Sequence, residues 1–141
     1  MSRAFLDTNV LVYVHDDSSP AKQQRARDVL RAGRDGTERF VVSTQVLAEL
    51  YVVLTTKLRP AVAPEDAVAV LQDLGAFTVV APSAAMVADA ARLSASHQLS
   101  FGDALIVRAA RAGLCDRVLT EDLSHQSVVG GVLVENPFAD L

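Results

Sequence analysis

Five short runs of mostly β-branched or aromatic apolar residues punctuate the chain: 3–6, 39–43 ("RFVVS"), 77–81 ("FTVVA"), 117–120 ("RVLT") and 132–135 ("VLVE"). Each reads as a strand. Between them the apolar positions recur with a helical period, which predicts helices over 9–15, 20–33, 44–57, 64–74, 83–96 and 101–112. Pro20, Pro64 and Pro82 stand near helix starts, and Gly33, Gly75 and Gly113 just past helix ends. The alanine-rich stretch 81–112 keeps its helical period and so reads as helix rather than as a biased tract. Strand and helix alternate throughout, with no repeat, low-complexity tract or linker between them. The pattern predicts one α/β domain over 1–141: a mostly parallel sheet of about five strands flanked by helices.

Composition narrows the class. A chain of 141 residues, 50% hydrophobic and 21% charged, is long and apolar enough to bury one core. Cys115 is its only cysteine and there are three histidines, which leaves neither an internal disulfide nor a cluster for structural zinc. That usage suits a reducing, cytoplasmic setting. No apolar run approaches the ~18 residues of a membrane span, and Asp7 interrupts the first one too early for a secretory signal. The expectation is a cytoplasmic protein with no membrane association.

The net charge of −4 argues against holding nucleic acid by bulk electrostatics, but the charge is unevenly spread. Residues 22–39 carry six cations against three acids, so this stretch is +3 and the remainder −7. Arg25, Arg27 and Arg31 are the candidates for contact with a phosphate backbone; a solvated helix face is the simpler alternative.

The acids fall at telling places. "RAFLDTNVLVYV" is an apolar run broken by Asp7, and "DRVLTEDLSHQS" repeats the arrangement with Glu121 and Asp122 after a strand. Asp and Asn at such places also cap helices, so Asp7 has a purely structural reading. In "VVSTQVLAELYVVL" Ser43 or Thr44 caps the next helix, Val46, Leu50 and Val53 form its apolar stripe, and Glu49 lies about 40° from Val53, on the stripe's edge. In "HQLSFGDALIVRAARAG" Ser100 and Asp103 have capping-box spacing, yet Asp103 also lines up with Ile106, Val107 and Ala110 on the inward face. Ligands of open parallel sheets bind beyond the carboxyl ends of the strands, where strand order reverses, so all four acids could share one cleft. Two carboxylates about 4 Å apart repel by roughly 4 kcal/mol at an effective dielectric near 20, and a group of four needs protons or a cation. Oxygen-only ligation favours Mg²⁺ or Mn²⁺.

"FLDTNVLVY", "STQVLAELYVVL", "LSFGDALIVRAA" and "VLTEDL" resemble, in order and spacing, the motifs of PIN-domain ribonucleases, most closely the VapC-type toxins of bacterial toxin–antitoxin pairs. The likeness covers nearly the whole chain. It implies that Asp7, Glu49, Asp103 and Asp122 are the catalytic, metal-binding quartet, that Thr120 supports the site through its hydroxyl, and that Asn9 holds the loop of the first acid. Glu121 takes a secondary, supporting place. One departure is Ser124-His125-Gln126-Ser127, where the family often has glycine after the histidine; His125, like His15 and His97, has no firm claim to a role.

The resemblance further implies a Mg²⁺- or Mn²⁺-dependent endoribonuclease that leaves 5′-phosphate and 3′-hydroxyl ends. It implies a homodimer neutralised by a small VapB-type antitoxin, with helix 44–57 (Tyr51, Val52, Val53 and Leu54) as a candidate contact surface. Three rivals stand beside it. A non-catalytic PIN-like interaction module would be expected to have lost an acid. An aspartyl phosphatase with Asp7 as nucleophile would want an acid where Asn9 stands, and a receiver domain would put two acids early in the chain, whereas Asp16 and Asp17 come after rather than before the first strand.

Overall fold

The computed structural model describes residues 2–141. Along the chain it forms β1 (Arg3–Leu6), α1 (Thr8–Tyr13), α2 (Pro20–Arg34), β2 (Arg39–Ser43), α3 (Thr44–Thr56), α4 (Pro64–Leu74), β3 (Thr78–Val80), α5 (Ala84–His97), α6 (Phe101–Ala112), β4 (Arg117–Leu119), β5 (Val128–Val129) and β6 (Val132–Glu135). The strands make one sheet in the order β3-β2-β1-β4-β6-β5, parallel except for the β5–β6 hairpin. From β1 the chain first builds outwards through β2 to β3, then returns to the other side of β1 with β4. The order therefore reverses between β1 and β4, and the carboxyl ends of those two strands border the crevice where such sheets bind ligands.

A parallel sheet is covered on both faces, and the strand residues here are apolar without alternation for that reason. Ala4, Phe5 and Leu6 of β1 and Val41 and Val42 of β2 are essentially inaccessible. Phe40 and Val41 point to opposite faces of β2. The Phe40 ring lies where a Cβ on Gly33 of α2 would be, and Val41 Cγ1 would sit 2.8 Å from a Cβ on Gly113, just after α6. These glycines let helices close on the two faces. α2 runs on through Arg34, so Gly33 is a packing residue inside the helix rather than a residue past its end.

Two other expectations change. The buried stripe of α3 is Val46, Leu50 and Leu54, with Val53 only half-buried. Successive steps of four keep these three on one face, and they leave Val52 rather than Leu54 outside, 49% exposed. The sheet also gains β5, turned back onto β6 by Gly130 and Gly131 with φ of +56° and +83°. Both values lie in the left-handed region that a two-residue hairpin turn demands. Among the described residues no helix is long and apolar enough to cross a membrane.

Candidate active site

Parallel pairing sets Leu6 beside Leu119, and the ladder continues one step as Asp7 N–H donates to the Leu119 carbonyl (3.1 Å). Asp7 and Thr120 are thereby neighbours at the reversal point. The Thr120 hydroxyl, fully buried, donates to Asp7 Oδ2 (2.8 Å) and accepts from the Asn9 amide (3.2 Å) and from Asp122 N–H (3.1 Å). A hydroxyl has one donor and two acceptor positions, and all three are used. Asn9 also donates weakly to Asp7 Oδ2 (3.4 Å), while its carbonyl accepts from Glu121 N–H (3.3 Å). The two loops are thus tied together by Asn9 and Thr120.

Asp7 is also the N-cap of α1, its Oδ1 accepting from Thr8 N–H at 2.7 Å. Asp7 thus caps a helix and belongs to the cluster at once. Ser100 caps α6 by accepting from Asp103 N–H (3.1 Å), but among the described residues the Asp103 carboxylate returns no hydrogen bond to the box. It turns instead to Asp7 and Asp122, and these three residues each offer an oxygen within 4.8 Å of the others. At that spacing each ionised pair repels by roughly 3–4 kcal/mol at an effective dielectric near 20. Burial pushes the Asp7 carboxyl up to about 6, against the Thr120 and Thr8 hydrogen bonds and with help from the charges of Asp122 and Asp103. Asp122 is raised as well, by burial and then by Asp103 and Glu121, with the Asn9 amide opposing. Three oxygen donors, one buried and all repelling, suit a hard divalent cation.

Glu49 stands just outside this group. Its two oxygens accept from the Thr8 hydroxyl (2.9 Å) and from the Gln45 amide (3.0 Å), and Gln45 also reaches the Gly102 carbonyl (3.4 Å) at the start of α6. The acid is held next to Asp7 through Thr8. Thr8 and Gln45 escaped the sequence reading, although Gln45 stands four residues before Glu49, at helical pairing distance. Glu121 lies outside the clustered three, its two oxygens accepting from the Tyr13 hydroxyl (2.6 Å) and from Lys22 (3.0 Å). An open cleft of about 320 Å³ is bordered by Thr8, Asn9, Tyr13, Val53, Glu121 and Asp122, so it meets the clustered aspartates at Asp122. A larger cavity, about 510 Å³, lies against Arg25, Arg117 and Pro137 and contains none of the three clustered aspartates.

The basic residues of α2 are differently engaged. Arg25 grips Asp140 with two hydrogen bonds (2.8 and 3.1 Å) and the Pro137 carbonyl (2.6 Å). Arg27 donates to the Val14 carbonyl (3.3 Å) and Arg31 pairs with Asp28 (3.0 Å), both remaining exposed. His125 accepts from Asn136 N–H through Nδ1 (2.9 Å), joining the loop after β4 to the segment after β6.

Three comparisons bear on this arrangement. A family model described as the PIN domain matches residues 4–130. No curated protein sequence matches the chain. Similar solved structures include VapBC2 from Rickettsia felis bound to a DNA fragment from its promoter, with a TM-score of 0.64 at 20% identity over 95% of this chain and 98% of the other. DNA-bound VapBC from Salmonella typhimurium gives 0.67 at 19% identity over 97% and 99% of the two chains. Mycobacterium tuberculosis VapC20, a sarcin–ricin loop cleaving toxin, gives 0.62 at 16% identity over 82% and 86%. At these identities the likeness is one of fold. With the family model spanning most of the chain and the clustered aspartates at the point of strand-order reversal, the chain belongs to the PIN-domain family.

Proposed function

We propose that this chain is a Mg²⁺- or Mn²⁺-dependent endoribonuclease and the VapC-type toxin of a toxin–antitoxin pair, acting in the cytoplasm. The observation that carries the reading is the convergence of Asp7, Asp103 and Asp122 within 4.8 Å at the sheet's reversal point. In this reading they hold the cation with Glu49 as fourth acid. Bound there, the ion supplies charge compensation for the scissile phosphate and lowers the pKa of water. The chain's own residues prepare the place: Thr120 and Asn9 orient Asp7, Thr8 and Gln45 orient Glu49, and the Ser100 cap presents Asp103 from the first turn of α6. Attack by water with fission of the P–O3′ bond leaves a 5′-phosphate and a 3′-hydroxyl, with no covalent enzyme intermediate.

A non-catalytic module would have no use for so complete a set of acids and supports. A phosphatase with Asp7 as nucleophile is disfavoured because Asn9 stands where it would want a second acid. Arg27 and Arg31 are the proposed backbone contacts of α2, while Arg25 serves the fold through Asp140. The proposed partners are a VapB-type antitoxin and a second copy of this chain, with the exposed side of α3 as a contact surface. The solved relatives named above include VapBC complexes, which supports that partner class.

The test is cleavage of total RNA by the purified chain with sequencing of the new ends. Ends bearing 5′-phosphate should appear with Mg²⁺ or Mn²⁺ and vanish with a chelator. Cleavage that persists in chelator, or ends carrying a 2′,3′-cyclic phosphate, would contradict the proposal.

A further inference from the structure

We propose that Lys22, with Tyr13, is a positioning residue that holds the Glu121 side chain out of the metal-binding carboxylates beside Asp122. The inference rests on the metallonuclease reading and concerns residues which that reading leaves unused. Glu121 and Asp122 are adjacent acids, yet only Asp122 joins the group. The reason is visible in the partners of Glu121. Tyr13 donates to one of its oxygens at 2.6 Å and Lys22 to the other at 3.0 Å, and Lys22 also donates to the Tyr13 hydroxyl at 3.2 Å. Both oxygens are satisfied and the charge is matched.

Lys22 is itself held. Its ammonium lies 4.9 Å from the Tyr13 ring centre and 5.8 Å from that of Phe138, over two rings that meet edge to face at 4.9 Å. Phe138 is buried, and its segment is fastened by Arg25 to Pro137 and Asp140. Arg25 lies one helical turn after Lys22 on α2, so one helix face holds both the ammonium and the ring beneath it. The backbone of the turn is pinned separately, Glu121 N–H to Asn9 and Asp122 N–H to Thr120. Lys22 therefore governs where the Glu121 side chain goes.

Removing the ammonium adds an uncompensated negative charge beside Asp122 and frees Glu121 to compete as a ligand. Both effects strengthen cation binding. Both also hinder turnover, since an extra carboxylate occupies space that water and phosphate need. Lys22→Met keeps most of the stem. Relative to wild type, it should bind Mn²⁺ about tenfold more tightly in calorimetry and cleave an RNA fragment carrying the wild-type cleavage site with a kcat about tenfold lower, at nearly unchanged KM. Adding Glu121→Gln should return both values to within about threefold of wild type. Tyr13→Phe should shift both in the same directions by less. Unchanged affinity and kcat would overturn the proposal, as would joint weakening that Glu121→Gln does not rescue. A raised KM with kcat intact would instead make Lys22 a phosphate contact. Asp7→Asn runs in parallel: if that variant still binds Mn²⁺, the metallonuclease reading fails irrespective of Lys22.

Discussion

Asp7 accepts hydrogen bonds on both carboxylate oxygens, yet burial and two neighbouring acids still push it up to about 6. In the unfolded chain it titrates near 3.8. The folded protein thus holds this proton more tightly. The stabilising contribution is complete below about pH 4 and is lost as pH rises through about 6, a difference of about 3 kcal/mol at neutral pH. Asp7→Asn removes the titration while preserving the cap, where Asn performs about as well as Asp. Denaturation of the metal-free proteins should show Asp7→Asn gaining on wild type by about 2–3 kcal/mol between pH 4 and pH 7. A difference that stays flat with pH would contradict the burial argument. Asp7, Asn9, Thr120 and Asp122 were legible in the sequence because each stands within three residues of a strand end. The engagement of Glu121 was not, since it depends on Tyr13 and Lys22, about a hundred residues away in the chain.

The helices and most strands announced themselves through periodicity, and the departures each have a packing cause. Gly113 was read as a helix terminator. It does follow α6, but its φ of −81° makes no use of glycine's freedom; what it supplies is room for Val41 and Val80. Gly113→Ala should cost about 1–3 kcal/mol, because a Cβ there would lie 2.8 Å from Val41 Cγ1 and 3.2 Å from Val80 Cγ2. Urea denaturation reads this directly, and an unchanged midpoint would show that the sheet face yields freely. β5 was missed although "VVGGVLVE" carries a two-glycine hairpin signal, because a strand of two residues is too short to show alternation. In α3 the sequence pattern puts Val53 in the stripe and Leu54 on the contact surface, whereas contact with the rest of the core selects Leu54.

The site is assembled from segments remote from one another in sequence: the end of β1, the first turn of α6 and the loop after β4, with α3 bringing Glu49 alongside. Sheet order makes this possible, since β1 and β4 are neighbours although the whole β2–α6 region separates them in the chain. That order could not be read from periodicity, which predicted only a mostly parallel sheet of about five strands. The basic character of α2 was legible as composition, whereas the commitment of Arg25 to Asp140 required the fold. In the proposed function the three aspartates are gathered to hold a divalent cation. Calorimetric titration of the wild type, Asp7→Asn and Asp103→Asn with Mn²⁺ tests it most directly. The wild type should bind Mn²⁺, each variant should lose or severely weaken that binding, and combining the two should cost nothing further, because both remove the same ion. Equal Mn²⁺ affinity in all of these proteins would contradict it and leave the carboxylates as structural groups.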